Sequence, residues 1–293
     1  MAAKPRVALV LPLLLALGAG GLTLARRKFK RAFAPPQRST EATPSDFGLV
    51  YETVWLTSVN STKLHAWWIP TTGTAPVVIV LHGWGGNSSL MLPLATHINE
   101  GGFHALFLDA RNHGRSEHDT FSSMPRFAED LDVAIDYVSG RGDVSTIGVL
   151  GHSVGAGAAI LSASNGSNID AVVSVSSFAH PGEVMRDQMN IPRPILRIVL
   201  EAVQRTIGYR FDEFAPRARV DKIDVPILLV HGDADEVVPL SNLYEIAEAH
   251  GSAEIVVVPG GGHSDLAPFE PYVADIVAFL ETNLRSDSLT TSV

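Results

Sequence analysis

The sequence predicts an α/β fold, a mostly parallel sheet flanked by helices with a small helical cap inserted late in the chain. Two patterns predict it. Eight short apolar runs recur along the chain, and most are apolar at nearly every position, as strands buried on both faces are. Amphipathic stretches with apolar residues three to four apart separate most of them. That alternation lays helices on both faces of one sheet.

The first two runs, "LVYETVWLTS" and "KLHAWWIP", alternate, and "VNST" turns between them, so they form an antiparallel pair. The next six are buried strands: "PVVIVLHG" (76–83), "HALFLDA" (104–110), "TIGVLGH" (146–152), "AVVSVSS" (171–177), "PILLVHG" (226–232) and "EIVVVPG" (254–260). "PRFAEDLDVAIDYV" (125–138) has helical spacing. About fifty residues separate Ser177 from Pro226, more than a crossover needs, so a cap is expected at about 178–224. Its helix, 194–207, is expected to bury Ile195, Ile198, Val199, Ala202, Val203 and Thr206.

Charge is unevenly distributed. Residues 1–38 hold eight Lys and Arg and no acid, so the net −9 splits into +8 there and −17 on the rest. An acidic body repels phosphate, so no nucleic-acid partner is expected. Residues 7–25 are uncharged and apolar, and "RRKFKR" follows. Nineteen residues of helix roughly span the ~30 Å core of a bilayer, and a basic cluster beside a span stays cytoplasmic. The expectation for 1–33 is a single transmembrane anchor with its basic flank, the catalytic body on the cytoplasmic side. The alternative is a cleaved signal peptide and secretion, with "TLA" or "AFA" as cleavage site. Residues 34–47, rich in Pro, Ser and Thr, read as a linker, 48–284 as the folded domain, and 285–293 as a tail.

There are no cysteines, which excludes disulfides and a thiol nucleophile. Chemistry instead points to "VLGHSVGAGAAI" (149–160). A strand runs into Gly151-His152-Ser153-Val154-Gly155, and a helix of small residues follows. G-x-S-x-G between strand and helix is a nucleophile elbow. A serine hydroxyl needs a histidine base oriented by a carboxylate, in the order Ser, acid, His in this context. "HGDADEVVP" offers Asp233 and Asp235, and "PGGGHSD" offers His263, each just past the end of a later strand. The backbone N–H of Val154 and that of Trp84, in "LHGWGGN", are the candidate oxyanion donors. His152 is a poor base because neighbours in a sharp turn point apart, and His82 and His231 read as packing or loop-fixing residues. His104, Asp109, His113 and His118 match no metal motif, so neither metal nor cofactor is implied.

"LHGWGGN", "DARNHGRS", "GHSVG", "HGDADEVVP" and "GGGHSD" stand in one order, and in that order the chain resembles the α/β-hydrolase fold superfamily, in its esterase and serine-aminopeptidase-like group. The resemblance covers roughly residues 48–284. It implies a Ser153–His263–Asp235 triad, choosing Asp235 over Asp233, and Asp109 and His113 as residues that fix a loop. The expected activity is carboxylic ester hydrolysis through an acyl-enzyme, on a small-molecule or lipid ester. Peptide or amide cleavage and acyl transfer share the same triad. A peptidase acting on free amino termini needs an acid for the ammonium, and Glu183, Glu201, Asp212 and Glu213 in the cap are available. A non-catalytic binding member of the fold is the alternative from another class.

Overall fold

The computed structural model describes residues 35, 37–265 and 267–285 of the chain. The expected anchor, 1–33, and the tail from 286 onward lie outside them. Among the described residues, no helix is long and apolar enough to cross a membrane.

Eight strands form one sheet: β1 (Glu52–Thr57), β2 (Lys63–Ile69), β3 (Ala75–Leu81), β4 (His104–Leu108), β5 (Val144–His152), β6 (Ala171–Val175), β7 (Ile227–Gly232) and β8 (Glu254–Val258). Their spatial order is β1-β2-β4-β3-β5-β6-β7-β8. Only β2 runs against its neighbours, and the others pair in parallel from β4 to β8. All eight match the runs read from the sequence.

The helices are α1 (Ala95–Glu100), α2 (Met124–Ser139), α3 (Val154–Ser164), α4 (Pro181–Gln188), α5 (Arg193–Ile207), α6 (Phe211–Phe214), α7 (Ser241–His250) and α8 (Val273–Leu284). Side chains along a strand alternate between faces, so β3 divides its own. Val77, Ile79 and Leu81 belong to one core cluster that also holds Phe127 and Leu131 of α2, Ala158 and Ala159 of α3, and Leu243 and Ile246 of α7. Val78 and Val80 belong to the cluster on the other face, with Ile98 of α1 and Ile276, Phe279 and Leu280 of α8. Both faces are covered, which is why this strand has no polar position.

Two regions depart from the reading of the sequence. Part of the expected linker is docked. Gln37 Nε2 donates to Ser116 O at 2.9 Å, and Asn87 Nδ2 donates to the Arg38 and Ser39 carbonyls. Pro44–Phe47 forms a 3-10 turn, and Pro44 is buried. The stretch expected as a cap holds α4 to α6, but α5 is rolled about its axis. Leu196 and Val203 are buried, and Val199, Leu200 and Ile207 pack onto the core. Ile198, expected inside, is 63 % exposed. Both stripes have helical spacing. The buried one carries two leucines, where the expected one carries Ala202 and Thr206 and so offers less apolar area.

Candidate active site

Parallel strands present their carboxyl ends at one edge of the sheet, where ligands bind in such folds. Ser153 stands at that end of β5. Its backbone has φ 54° and ψ −114°, a sparsely populated conformation for a residue with a side chain. The Ser153 N–H donates to Val175 O at 2.9 Å, which helps hold the strained residue against β6. The flanking glycines have a steric cause. A Cβ on Gly151 would stand 2.6 Å from Ala156 N, and one on Gly155 would stand 2.6 Å from His82 O. A bulkier elbow could not turn this tightly against β3. A Cβ on Gly157 would strike Met124 Sδ, so the small residues of α3 let it lie close to α2. The start of α3 directs its positive end at Ser153.

His263 closes on this serine from the loop after β8. Ser153 Oγ lies 3.0 Å from His263 Nε2, and His263 Nδ1 lies 2.7 Å from Asp235 Oδ2. A carboxylate accepts, so it takes Nδ1–H and leaves Nε2 free to accept from the hydroxyl. Asp235 Oδ1 accepts from the Val237 and Val238 N–H groups at 2.9 and 2.8 Å. Its side chain is fully buried. Burial alone would raise its pKa, but His231, His263 and the Val238 N–H together outweigh it and hold the carboxyl well below the usual range. His231 Nε2–H points to Val238 O at 2.8 Å and lies 3.4 Å from Asp235 Oδ2, so it is a loop-fixing residue that also touches the acid.

Asp233 and Asp235, which residue chemistry alone left equivalent, separate here. Asp233 Oδ1 accepts from Gly260 N–H at 2.7 Å, while Asp235 faces His263. Asp233 thus latches the loop after β7 to the loop after β8. Backbone bonds from Asp233 N–H to Val258 O and from Ala234 N–H to Gly261 O reinforce it.

The candidate oxyanion donors, the Trp84 and Val154 N–H groups, are arranged by their surroundings. His82 Nδ1–H donates to Gly83 O at 2.7 Å, and Gly86 N–H donates to the same oxygen. The Ala110 N–H donates to His82 Nε2 at 3.2 Å, which fixes the tautomer. No peptide bond here is cis, so the Trp84 N–H points opposite to the Gly83 carbonyl. Neither the Trp84 nor the Val154 N–H has an acceptor among the described residues. Burial lowers the pKa of His82, which keeps it neutral. Trp84 is 41 % exposed, and its ring stands edge-on to His113.

Asp109 behaves as the resemblance implied. Its carboxylate accepts from the Ser88 and Arg115 N–H groups and from His65 Nδ1, tying the turn after β4 to the oxyanion loop. His113 Nδ1–H donates to Arg111 O. Beside them lies a pair the sequence reading missed. Arg111 and Asp130 have fully buried side chains and meet at 2.6 Å, with the Ser58 hydroxyl donating to Asp130. The signal was an acid on the apolar face of α2, between Phe127 and Leu131. Among the described residues, no group of three or more His, Cys, Asp or Glu could hold a metal.

Comparison with known proteins agrees with this architecture. A family model described as serine aminopeptidase, S33, matches residues 73–212, and one described as TAP-like protein matches residues 209–287. The YfhR protein of Escherichia coli (strain K12) is 31 % identical over 229 residues, covering 73 % of this chain and 74 % of its own. The α/β-hydrolase domain-containing protein WAV2 of Arabidopsis thaliana is 28 % identical over 262 residues, 83 % of each chain. The Pyrococcus furiosus esterase Pf2001 superimposes with a TM-score of 0.70 at 22 % identity, covering 85 % of this chain and 99 % of its own. Est1E of Butyrivibrio proteoclasticus, solved with ferulic acid, gives 0.66 at 22 % identity over 79 % and 99 %. On its matched models, its relatives and its fold, the chain belongs to the α/β-hydrolase family.

Proposed function

We propose that the protein is a serine hydrolase of carboxylic esters. One observation carries this reading: the unbroken line from Asp235 through His263 to Ser153, with hydrogen-bond distances of 2.7 and 3.0 Å. Ser153 Oγ attacks the ester carbonyl as His263 Nε2 takes its proton. Asp235 holds the tautomer and stabilises the imidazolium. The Trp84 and Val154 N–H groups receive the developing oxyanion. His263 then protonates the departing alcohol, and water, activated by the same histidine, releases the acid. The glycines at 151 and 155 allow the elbow, and no cofactor enters the steps.

A peptidase reading has the family description in its favour. The cap acids give it little support. Glu183 is paired with Arg217, Glu201 with Arg205, and Asp212 with His180. Glu213 accepts from the Arg210 N–H. Each of the four already has a partner on this chain, and none stands apart as a dedicated ammonium acceptor. Turnover of p-nitrophenyl esters from acetyl to palmitoyl, against aminoacyl anilides, separates the two readings. Anilides hydrolysed faster than every ester would overturn the ester assignment.

The basic and apolar N-terminus supports a further proposal, that the protein is held at a membrane by residues 7–25 with its body on the cytoplasmic side. Residues 37–39, hydrogen-bonded to Asn87 and Ser116, lead the chain into the folded body beside the loop that carries Trp84. Carbonate extraction with protease protection tests it. Release into the soluble fraction as a shortened chain would favour the cleaved signal instead.

A further inference from the structure

His152 precedes the nucleophile and takes no part in the proton relay described above. Its ring is nevertheless committed. Nε2 lies 2.7 Å from the main-chain oxygen of His263. A carbonyl accepts only, so Nε2 carries the proton and Nδ1 does not. The other side of the ring faces the oxyanion loop: a Cβ on Gly83 would stand 2.9 Å from His152 Nδ1 and 3.1 Å from Ser153 Cβ. One side chain, rooted in the rigid elbow, therefore touches both loops that the reaction needs. The His152 and His263 rings lie 5.2 Å apart between centroids, close enough for charge on one to oppose charge on the other.

We propose that His152 is a positioning residue: its Nε2–H clamps the His263 main chain to the nucleophile elbow and so sets the distance between base and serine. The inference rests on the serine hydrolase reading above and adds a residue to it. Bonds from Asp233 and Ala234 hold the loop after β8 at Gly260 and Gly261, and Asp235 fixes the direction of the His263 ring, so His263 itself is tied at one point, its side chain. The clamp supplies the second point. Neutrality is part of the role, since a cation at His152 would oppose the imidazolium that forms on His263. Burial, with the nearby His263 adding to it, pushes His152 down to about 4, which keeps the ring uncharged at neutral pH.

The test compares His152→Gln with His152→Asn in the full-length protein. Both are neutral amides. The longer glutamine carries its N–H to the position of Nε2, and the asparagine falls short. Rates are expressed per serine titrated by fluorophosphonate, so misfolded molecules do not count. The expected result is kcat within about threefold of wild type for the glutamine variant and lowered about 10- to 100-fold for the asparagine variant, with KM unchanged. Hydrogen exchange in residues 260–265 should rise in the asparagine variant only. Equal kcat in the two variants, or a change confined to KM, overturns the proposal. A wild-type protein that lacks Ser153-dependent labelling counts against the hydrolase reading, and the exchange measurement then decides the clamp by itself.

Discussion

Gly232 and Gly261 cross backbone to backbone, with no room for a side chain at either. A Cβ on Gly232 would collide with the Gly261 carbonyl, and one on Gly261 would stand 2.9 Å from Gly232 Cα. This crossing brings the loop bearing Asp235 onto the loop bearing His263. Asp235 and His263 lie 28 residues apart in sequence, and two positions without a side chain let their loops cross.

Gly232→Ala should therefore damage both stability and activity. Forcing a methyl group into packed backbone costs about 1–3 kcal/mol, and the shift it requires moves Asp235 away from His263. Thermal unfolding and kcat, measured together, should both fall. A variant with wild-type kcat would mean that the loops meet by other contacts.

Asp235→Asn should leave the fold intact and lower kcat by about 10³–10⁴-fold, because the amide favours the wrong histidine tautomer. Asp233→Asn should cost far less, since its carboxylate serves a backbone latch. The two kcat values, measured side by side, check the assignment of roles. Equal losses would contradict it.

Asp130→Ala should be among the most destabilising single changes. It strands the Arg111 guanidinium, fully buried, without its closest partner. Removing one member of a buried pair costs about 3–5 kcal/mol. Arg111 keeps a contact to the half-exposed Glu129 at 3.0 Å, which places the expected loss at the lower end. Denaturant unfolding measures it directly.

Stability should fall as the solution is acidified from about pH 6.5 toward 4. Burial pushes His113 down to about 3 and His152 to about 4. In the unfolded chain both titrate near 6.5. Below that value the unfolded state binds protons that the folded state refuses, so the contribution is full above pH 6.5 and is lost as pH falls through the folded values. For His113 alone the loss approaches a few kcal/mol. His113→Phe should flatten the pH dependence of unfolding free energy across this window. An unchanged slope would show that the His113 ring is not held neutral.

The strands were legible in the sequence because burial on both faces leaves an apolar run that little else produces. Ser153 and His263 stood out in the sequence because each is flanked by glycines at or just past the end of a strand, and the structure places them 3.0 Å apart. Residue chemistry could not separate Asp233 from Asp235, since the distinction lies in which carboxylate faces His263 and which faces Gly260. The roll of α5 escaped for a similar reason: two stripes share one helical period, and the neighbouring core decides between them. The docking of residues 37–47 left no signal in composition, because the bonds run through backbone carbonyls of Arg38 and Ser39 and the side chain of a distant Asn87. His152 was legible as a poor base but not as a clamp, since its partner is a main-chain atom 111 residues away.

The serine hydrolase proposal requires Ser153 to be an activated nucleophile. Labelling by a fluorophosphonate, followed by mapping of the modified peptide, tests it most directly. The expected result is one adduct per chain, on Ser153, lost in Ser153→Ala and strongly slowed in His263→Ala. A folded wild-type protein that takes no label, or takes it on another residue, would contradict it.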